Sequence, residues 1–107
     1  MNDMKIQSIG FLIFDGFPMA CLTSMIEPLR AANEISGLDA FSWTLLAETD
    51  EKVRSSAGVS FEPDVTLANA SRLDYLILLS SPMGGFENSK SGYGILRNLA
   101  RHGTILG

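Results

Sequence analysis

Runs of apolar residues alternate with periodic, helix-like segments along this chain. The first run, Ile6 to Phe14, does not alternate strictly between apolar and polar residues, which is typical of a strand that is covered on both faces. Phe41 to Ala47 and Tyr75 to Leu79 predict two further strands, and Thr104 to Gly107 begins another. Strands covered on both faces occur in parallel sheets, so the pattern predicts an α/β protein.

A helix is predicted between the first two strands. Asp15-Gly16 forms the turn that ends the first strand, and Pro18 suits the first turn of a helix, where no N–H is needed. Four apolar residues recur at helical spacing and are expected to face the sheet: Leu22, Ile26, Leu29 and Ala32. Pro28 removes one backbone hydrogen bond, which predicts a kink or a restart near Glu27. Ser36-Gly37 ends the helix.

The segments after the second strand predict a less regular path. Val53 to Phe61 is expected to form a small hairpin, Pro63-Asp64 to begin an irregular stretch, and Leu67 to Ser71 to form one helical turn. A second helix is predicted from Tyr93 to His102 and is closed by Gly103. Three of its residues are expected to face inward: Leu96, Leu99 and Ala100.

Joined in order, these elements predict a β-α-β-hairpin-β-α-β chain. Right-handed crossovers then give a doubly wound, mostly parallel sheet with helices on both faces, of the flavodoxin-like kind. The last strand is cut after about three residues, so we expect the fold to be incomplete at its C-terminus. An apolar face left exposed there predicts self-association.

Composition narrows the class of protein further. The 107 residues suit one domain, and 46% hydrophobic with 19% charged residues is typical of a soluble globular protein. A net charge of −4 argues against DNA binding by this segment itself. The single cysteine fits a reducing cytoplasm, and no apolar run approaches the roughly 20 residues of a membrane helix. We therefore expect a cytoplasmic protein without membrane contact.

Two motifs carry a resemblance to a known family. They are Phe14-Asp15-Gly16-Phe17 and the longer Glu27-Pro28-Leu29-Arg30-Ala31-Ala32-Asn33. Together with the later YLILL and GTILG segments, they resemble the class I glutamine amidotransferase-like superfamily, in its PfpI-type branch. Within that branch the chain looks most like the N-terminal domain of AraC-family transcriptional regulators of amine and amino-acid catabolism. The resemblance covers essentially all of residues 1–107 and implies the N-terminal part of an amidotransferase-like, effector-sensing domain.

The resemblance also bears on catalysis. Active enzymes of the superfamily carry a carboxylate on the first helix and a cysteine nucleophile on a strand-to-helix elbow, which would follow Leu106-Gly107. The position that resembles the carboxylate is Cys21, and a thiol cannot tune a neighbouring nucleophile as a carboxylate does. His102 is interpreted as a helix cap rather than a metal ligand. No catalytic residue, metal or cofactor is therefore predicted.

Candidate effector contacts gather where strands end, because ligands of doubly wound sheets bind there. The predicted effector-binding residues are Asp15, Phe17, Cys21, Glu27, Ser81, Pro82 and Met83. Glu27 would meet a cationic effector, such as a small amine or an amino acid. Simpler interpretations stay open: a packed thiol at Cys21, a core ring at Phe17, a solvated Glu27–Arg30 pair, and a plain connection at residues 80–85.

Two functions remain for this pattern. The first is a non-catalytic effector-binding and dimerisation domain of a regulator, which contacts DNA only through a C-terminal helix-turn-helix domain outside these residues. The alternative is the N-terminal half of a PfpI-type cysteine hydrolase or amidase, which needs a cysteine at the elbow and a histidine close behind it. A chaperone-like or structural homologue has no feature in its favour beyond the fold.

Overall fold

A computed structural model of the protein describes residues 5–82 and 84–107. Its elements are, in chain order, β1 (Gln7–Ile13), α1 (Met19–Ser36), β2 (Phe41–Ala47), β3 (Val53–Arg54), β4 (Ser60–Phe61), β5 (Val65–Thr66), a 3-10 turn (Leu67–Asn69), β6 (Tyr75–Leu79), α2 (Ser89–Arg101) and β7 (Ile105–Leu106). Five strands form a parallel sheet in the order β5-β2-β1-β6-β7, while β3 and β4 form a separate antiparallel hairpin. The predicted doubly wound sheet is confirmed.

The two helices cover opposite faces of this sheet. On one face, Phe11 and Ile13 of β1 are buried in one apolar cluster with Leu22 of α1. On the other face, Leu12 of β1 is buried in a second cluster with Leu96 of α2. Because successive residues of a strand point to opposite faces, one unbroken apolar run supplies both clusters. The helices on both faces are therefore as predicted.

The first helix is close to its prediction. Leu22 is buried, and three further residues pack half-buried on the sheet: Met25, Ile26 and Leu29. Gly37 ends the helix with a φ of 71°, in the left-handed region where glycine is favoured. Of the kink or restart expected near Glu27, the restart does not occur, since α1 continues through Pro28 to Ser36. The ladder of hydrogen bonds within an 18-residue helix packed on a sheet therefore tolerates the loss of one N–H.

Three other predictions need correction. β5 forms where an irregular stretch was expected, because two hydrogen bonds between Leu45 and Asp64 hold this segment beside β2. The Asp64 N–H donates to the Leu45 carbonyl at 2.8 Å, and the Leu45 N–H donates to Asp64 Oδ2 at 2.8 Å. α2 begins at Ser89, four residues before the predicted start, where the Asn88 side chain accepts a hydrogen bond from the Ser91 N–H. Ala100 is exposed rather than inward, since only one edge of α2 faces the sheet.

Part of the α1 face of the sheet is open. A shallow depression of about 610 Å³ is lined mainly by apolar side chains near the amino ends of the strands: Ile9, Phe11, Met25, Leu29, Phe41, Tyr75 and Ile77. Beside it, Ile105 and Leu106 of β7 are 58% and 41% exposed. Self-association through exposed apolar residues stays a prediction. Within the described residues, no helix has the length and apolarity needed to cross a membrane.

Candidate functional site

The sheet has one topological switch point, between β1 and β6, where the direction in which strands are added reverses. β1 lies at the centre of the sheet and pairs with β2 on one side and with β6 on the other. The connection after β1 runs toward β2 and the connection after β6 runs toward β7, so these two connections diverge and leave a crevice at the carboxyl edge of the sheet. The turn after β1 starts at Phe14, the loop after β2 starts at Glu48, and the loop after β6 starts at Ser80.

A small cavity of about 70 Å³ lies at this edge, open to solvent. We call it the carboxyl-edge crevice. The residues that define it follow three strands: Phe14 and Asp15 after β1, Glu48, Thr49, Glu51 and Lys52 after β2, and Gly85 and Glu87 after β6. The lining of this small opening thus includes four acidic residues and one lysine. Like charges around a cleft focus the electrostatic potential, so this crevice favours a cation over an anion.

Glu48 ties two walls of the crevice together. Its Oε1 accepts a hydrogen bond from the Glu87 N–H at 2.9 Å, and its Oε2 accepts one from the Asn88 N–H at 2.9 Å. Hydrogen bonds to an ionised carboxylate are stronger than neutral ones. The loop after β6 is therefore anchored to the end of β2 immediately before α2 begins.

The β3–β4 hairpin holds the turn after β1. The Gly16 N–H donates to the Arg54 carbonyl at 2.7 Å, and Asp15 Oδ1 accepts from the Arg54 N–H at 3.3 Å. The Ser56 N–H also donates to the Phe17 carbonyl at 2.9 Å. Gly16 has a φ of 82°, which an L side chain rarely adopts. The Asp-Gly pair thus turns the chain sharply from the end of β1 toward α1.

The structure brings together only some of the predicted effector-binding residues. Asp15 lines the carboxyl-edge crevice, and Ser81 Oγ donates to its backbone carbonyl at 3.4 Å. Pro82 is exposed beside Ser81, and Met83 lies outside the described residues. Asp15 and Ser81 therefore meet at the switch point between β1 and β6, and their contact with an effector stays a prediction.

Phe17 and Cys21 lie elsewhere. The Phe17 ring is fully buried and packs edge-on against Phe61, with 5.1 Å between ring centroids, so the side chain belongs to the core and does not line the crevice. Cys21 is exposed on the first turn of α1, which excludes the packed thiol that was the simpler interpretation. Neither side chain borders the crevice.

Glu27 lies about 9 Å further along α1 than Cys21, at the usual rise of a helix. Its carboxylate pairs with Arg30 at 3.0 Å, and its side chain is 62% exposed. The pKa of Arg30 is raised, first by the hydrogen bond from its guanidinium to Glu27. The solvated pair on the outer face of the helix is thus what the structure contains, and Glu27 is not among the residues that line the crevice.

The sequence interpretation overlooked the acidic residues Glu48, Glu51 and Glu87. A signal was present, since Glu48-Thr49-Asp50-Glu51 follows β2 directly and carboxyl ends of parallel strands meet at one edge. Among the described residues, no group of three or more histidine, cysteine, aspartate or glutamate side chains is placed to hold a metal ion.

Comparison with known proteins begins with sequence relatives. No protein-family model matches the chain. It is 37% identical over 101 residues to the HTH-type transcriptional regulator GbdR of Pseudomonas aeruginosa, a match that covers 94% of this chain and 24% of GbdR. The chain thus spans about a quarter of the length of this curated relative.

Solved structures agree on the fold. An AraC family transcriptional regulator from Pseudomonas putida superposes with a TM-score of 0.80 at 24% identity, over 94% of this chain and 54% of the other. A ThiJ/PfpI family protein from Pseudomonas syringae gives a TM-score of 0.54 at 21% identity, over 76% and 31%. These matches confirm the flavodoxin-like fold of the PfpI-type proteins. They also confirm the predicted resemblance to AraC-family transcriptional regulators.

Proposed function

We propose that this chain, a homologue of part of the HTH-type transcriptional regulators, is an effector-sensing domain without catalytic activity. A small cationic effector, an amine or an amino acid, binds at the carboxyl-edge crevice. The regulator contacts DNA through a separate helix-turn-helix domain, acts as a homodimer and works in the cytoplasm. The observation that carries the proposal is the set of four acidic residues that line a crevice at the carboxyl edge of the sheet, in a fold that a solved AraC family regulator shares.

Charge supports the choice of effector. The crevice lining contains Asp15, Glu48, Glu51 and Glu87 around an opening of about 70 Å³. A cation about 4 Å from one exposed carboxylate gains about 1 kcal/mol in a water-like medium, and the gain rises when water is excluded. Several such contacts favour an ammonium or a quaternary amine over a neutral molecule of the same shape.

The alternative, a PfpI-type cysteine hydrolase, is not favoured. GbdR is a regulator, and Cys21 has no histidine beside it in the described part of the chain. α1 begins at the carboxyl edge of the sheet, whereas His102 follows the end of α2 at the amino edge, where its Nδ1 contacts the Asn98 carbonyl at 2.7 Å. A cysteine needs a base within hydrogen-bonding distance for nucleophilic catalysis, and these two residues lie at opposite edges.

Ligand-dependent thermal stability of the full-length protein tests the proposal. A ligand that binds only the folded state raises the melting temperature, and its stabilising free energy grows with the logarithm of the ratio of ligand concentration to dissociation constant. We expect choline to stabilise the wild-type protein and to stabilise the Glu51→Gln variant less. Glu62→Gln serves as the matched control, because Glu62 is an exposed acid that does not line the crevice. Equal stabilisation of all three proteins would overturn the proposed site.

A further inference from the structure

The face of the sheet that α2 covers has an open part above the amino halves of β1 and β2. The connection from β2 to β6, residues 48–74, contains the β3–β4 hairpin, β5 and a three-residue 3-10 turn, but no α-helix. A crossover between parallel strands usually carries a helix that covers the sheet. In its place lies a groove of about 430 Å³, which we call the amino-half groove, lined by the two strands and by residues 64–73.

Hydroxyl groups replace apolar side chains on this part of the sheet. Ser8 of β1 lies beside Ser42 of β2, and both share a face with the buried Leu12 and Leu46, because side chains alternate along a strand. Thr44 lies between Ser42 and Leu46 on that face and is half-buried. The side chains of Ser42 and Thr44 form no hydrogen bond with any residue of 5–82 or 84–107. Their hydroxyls are therefore available to a molecule in the groove.

Two opposite charges line the groove from its two sides. Asp64 is held beside β2 by its hydrogen bonds with Leu45, whereas Arg72 lies beside β1, where its carbonyl accepts a hydrogen bond from Ser8 Oγ at 3.3 Å. These two segments are two strand spacings apart, roughly 10 Å. Within the described part of the chain, neither Asp64 nor Arg72 forms an ion pair. The other acid near Arg72 is Asp74, whose carboxylate accepts the N–H and the hydroxyl of Ser8.

Apolar side chains form the floor between these charges. Leu46 and Leu73 line the groove and are buried, with 0% and 5% of their surface exposed. The volume of the groove is in the range of small-molecule sites, and its apolar floor favours the apolar part of a ligand. A complementary ligand therefore has an apolar body, an ammonium group at one end for Asp64, and a carboxylate at the other end. The guanidinium of Arg72 can donate to both oxygens of such a carboxylate.

We propose that the amino-half groove binds a small zwitterion of the ω-amino acid class. The ammonium group lies on Asp64, the carboxylate on Arg72, and the methylene chain on the apolar floor. The hydroxyls of Ser42 and Thr44 both donate and accept hydrogen bonds, so they can serve either polar end. The groove shares no lining residue with the carboxyl-edge crevice, so this second site does not rest on the proposed function of the crevice.

Isothermal titration of the full-length protein with 5-aminopentanoate tests this site. Pentanoate and pentylamine are the matched probes, because each keeps the carbon chain and lacks one of the two charges. We expect 5-aminopentanoate to bind the wild type, and each single-charge probe to bind about tenfold more weakly. No binding of 5-aminopentanoate, or equal affinity for the three probes, would overturn the proposal.

Variants locate the binding within the molecule. Arg72→Gln should weaken the binding of 5-aminopentanoate about tenfold, and Ser42→Ala, which removes only a hydroxyl, about threefold. Arg97→Gln is the matched control and should leave the affinity unchanged, because Arg97 is exposed on α2 and does not line the groove. Equal affinity of Arg72→Gln and Arg97→Gln would overturn the proposal.

A variant of the carboxyl-edge crevice separates the two sites in the same titration. Glu51→Gln should leave the binding of 5-aminopentanoate unchanged, because Glu51 lines the crevice and not the groove. Binding that is weakened by Glu51→Gln and not by Arg72→Gln would place the ammonium group in the crevice, which overturns this proposal and supports the proposed function. Failure of choline to bind the wild type would overturn the proposed function alone.

Discussion

The α-carbon of Gly84 lies against the backbone carbonyl oxygen of Asp15, so that a Cβ at this position would overlap that oxygen. This contact packs the turn after β1 against the loop after β6, at the switch point between these two strands. The obstacle is backbone rather than a flexible side chain. The loop can therefore approach the turn closely only because residue 84 is glycine.

Gly84→Ala should consequently lower the free energy of unfolding by about 1–3 kcal/mol, the usual cost of forcing extra volume into a close contact. Gly85→Ala is the matched control, since a Cβ at Gly85 meets no atom within 4 Å. Urea unfolding of both variants measures the difference. Equal midpoints for the two variants would show that the loop does not hold this position in solution.

Phe17 should behave as a core residue. Its side chain has no exposed surface and packs against Phe61. Phe17→Ala should therefore cost about 3–5 kcal/mol of unfolding free energy, as large-to-small changes in well-packed cores do. Cys21→Ala, four residues further at an exposed position, should change stability little and leave choline affinity unchanged. A loss of choline affinity in Cys21→Ala would place the effector on α1 instead of in the crevice.

Asp74 should make stability depend on pH. The backbone N–H of Ser8 donates to its Oδ2 at 2.9 Å, and the Ser8 hydroxyl donates to the same oxygen at 3.1 Å. The pKa of Asp74 is lowered, chiefly by the hydrogen bond from the Ser8 N–H, while burial acts in the opposite direction. A carboxyl whose folded-state pKa lies below its unfolded value of about 3.9 contributes stability above that value.

Asp74→Asn should therefore unfold more easily than the wild type at pH 7. That difference should shrink as the pH falls below about 4 and vanish once the carboxyl is protonated in both states. Asp39→Asn, an exposed acid in the connection from α1 to β2, is the control and should show no such difference. Unfolding midpoints measured from pH 7 to pH 3 provide the test, and a stability difference that does not shrink as the pH falls below about 4 would contradict this account.

The sequence predicted the elements that have a local sequence pattern, and it missed an element that is held in place by long-range contacts. β2 and β6 were predicted to the residue, because Tyr75–Leu79 is an unbroken apolar run and Phe41–Ala47 is a β-prone stretch that ends at Glu48. β5 was not predicted, since a strand of two residues is held by Asp64 and Leu45 across 19 positions of sequence. Tertiary contacts of this length leave no periodic pattern.

The candidate site shows the same limit. Asp15 was predicted because it ends a strand beside a turn signal, whereas Glu48 and Glu87 were not singled out. Their meeting depends on the order of strands in the sheet, which places the ends of β2 and β1 side by side and brings the loop after β6 across them. Glu27 was predicted from a motif, and the structure instead shows its carboxylate paired with Arg30 in solvent.

The central claim, that the carboxyl-edge crevice binds a small cation, is tested most directly by isothermal titration of the full-length protein. Choline and its neutral isostere 3,3-dimethylbutan-1-ol have the same shape and differ in charge. We expect choline to bind and the neutral isostere to bind at least tenfold more weakly, a difference of about 1.4 kcal/mol or more. Glu51→Gln should weaken choline binding about fivefold and leave the isostere unaffected. Equal affinity for the two compounds, or no binding of choline, would contradict the account.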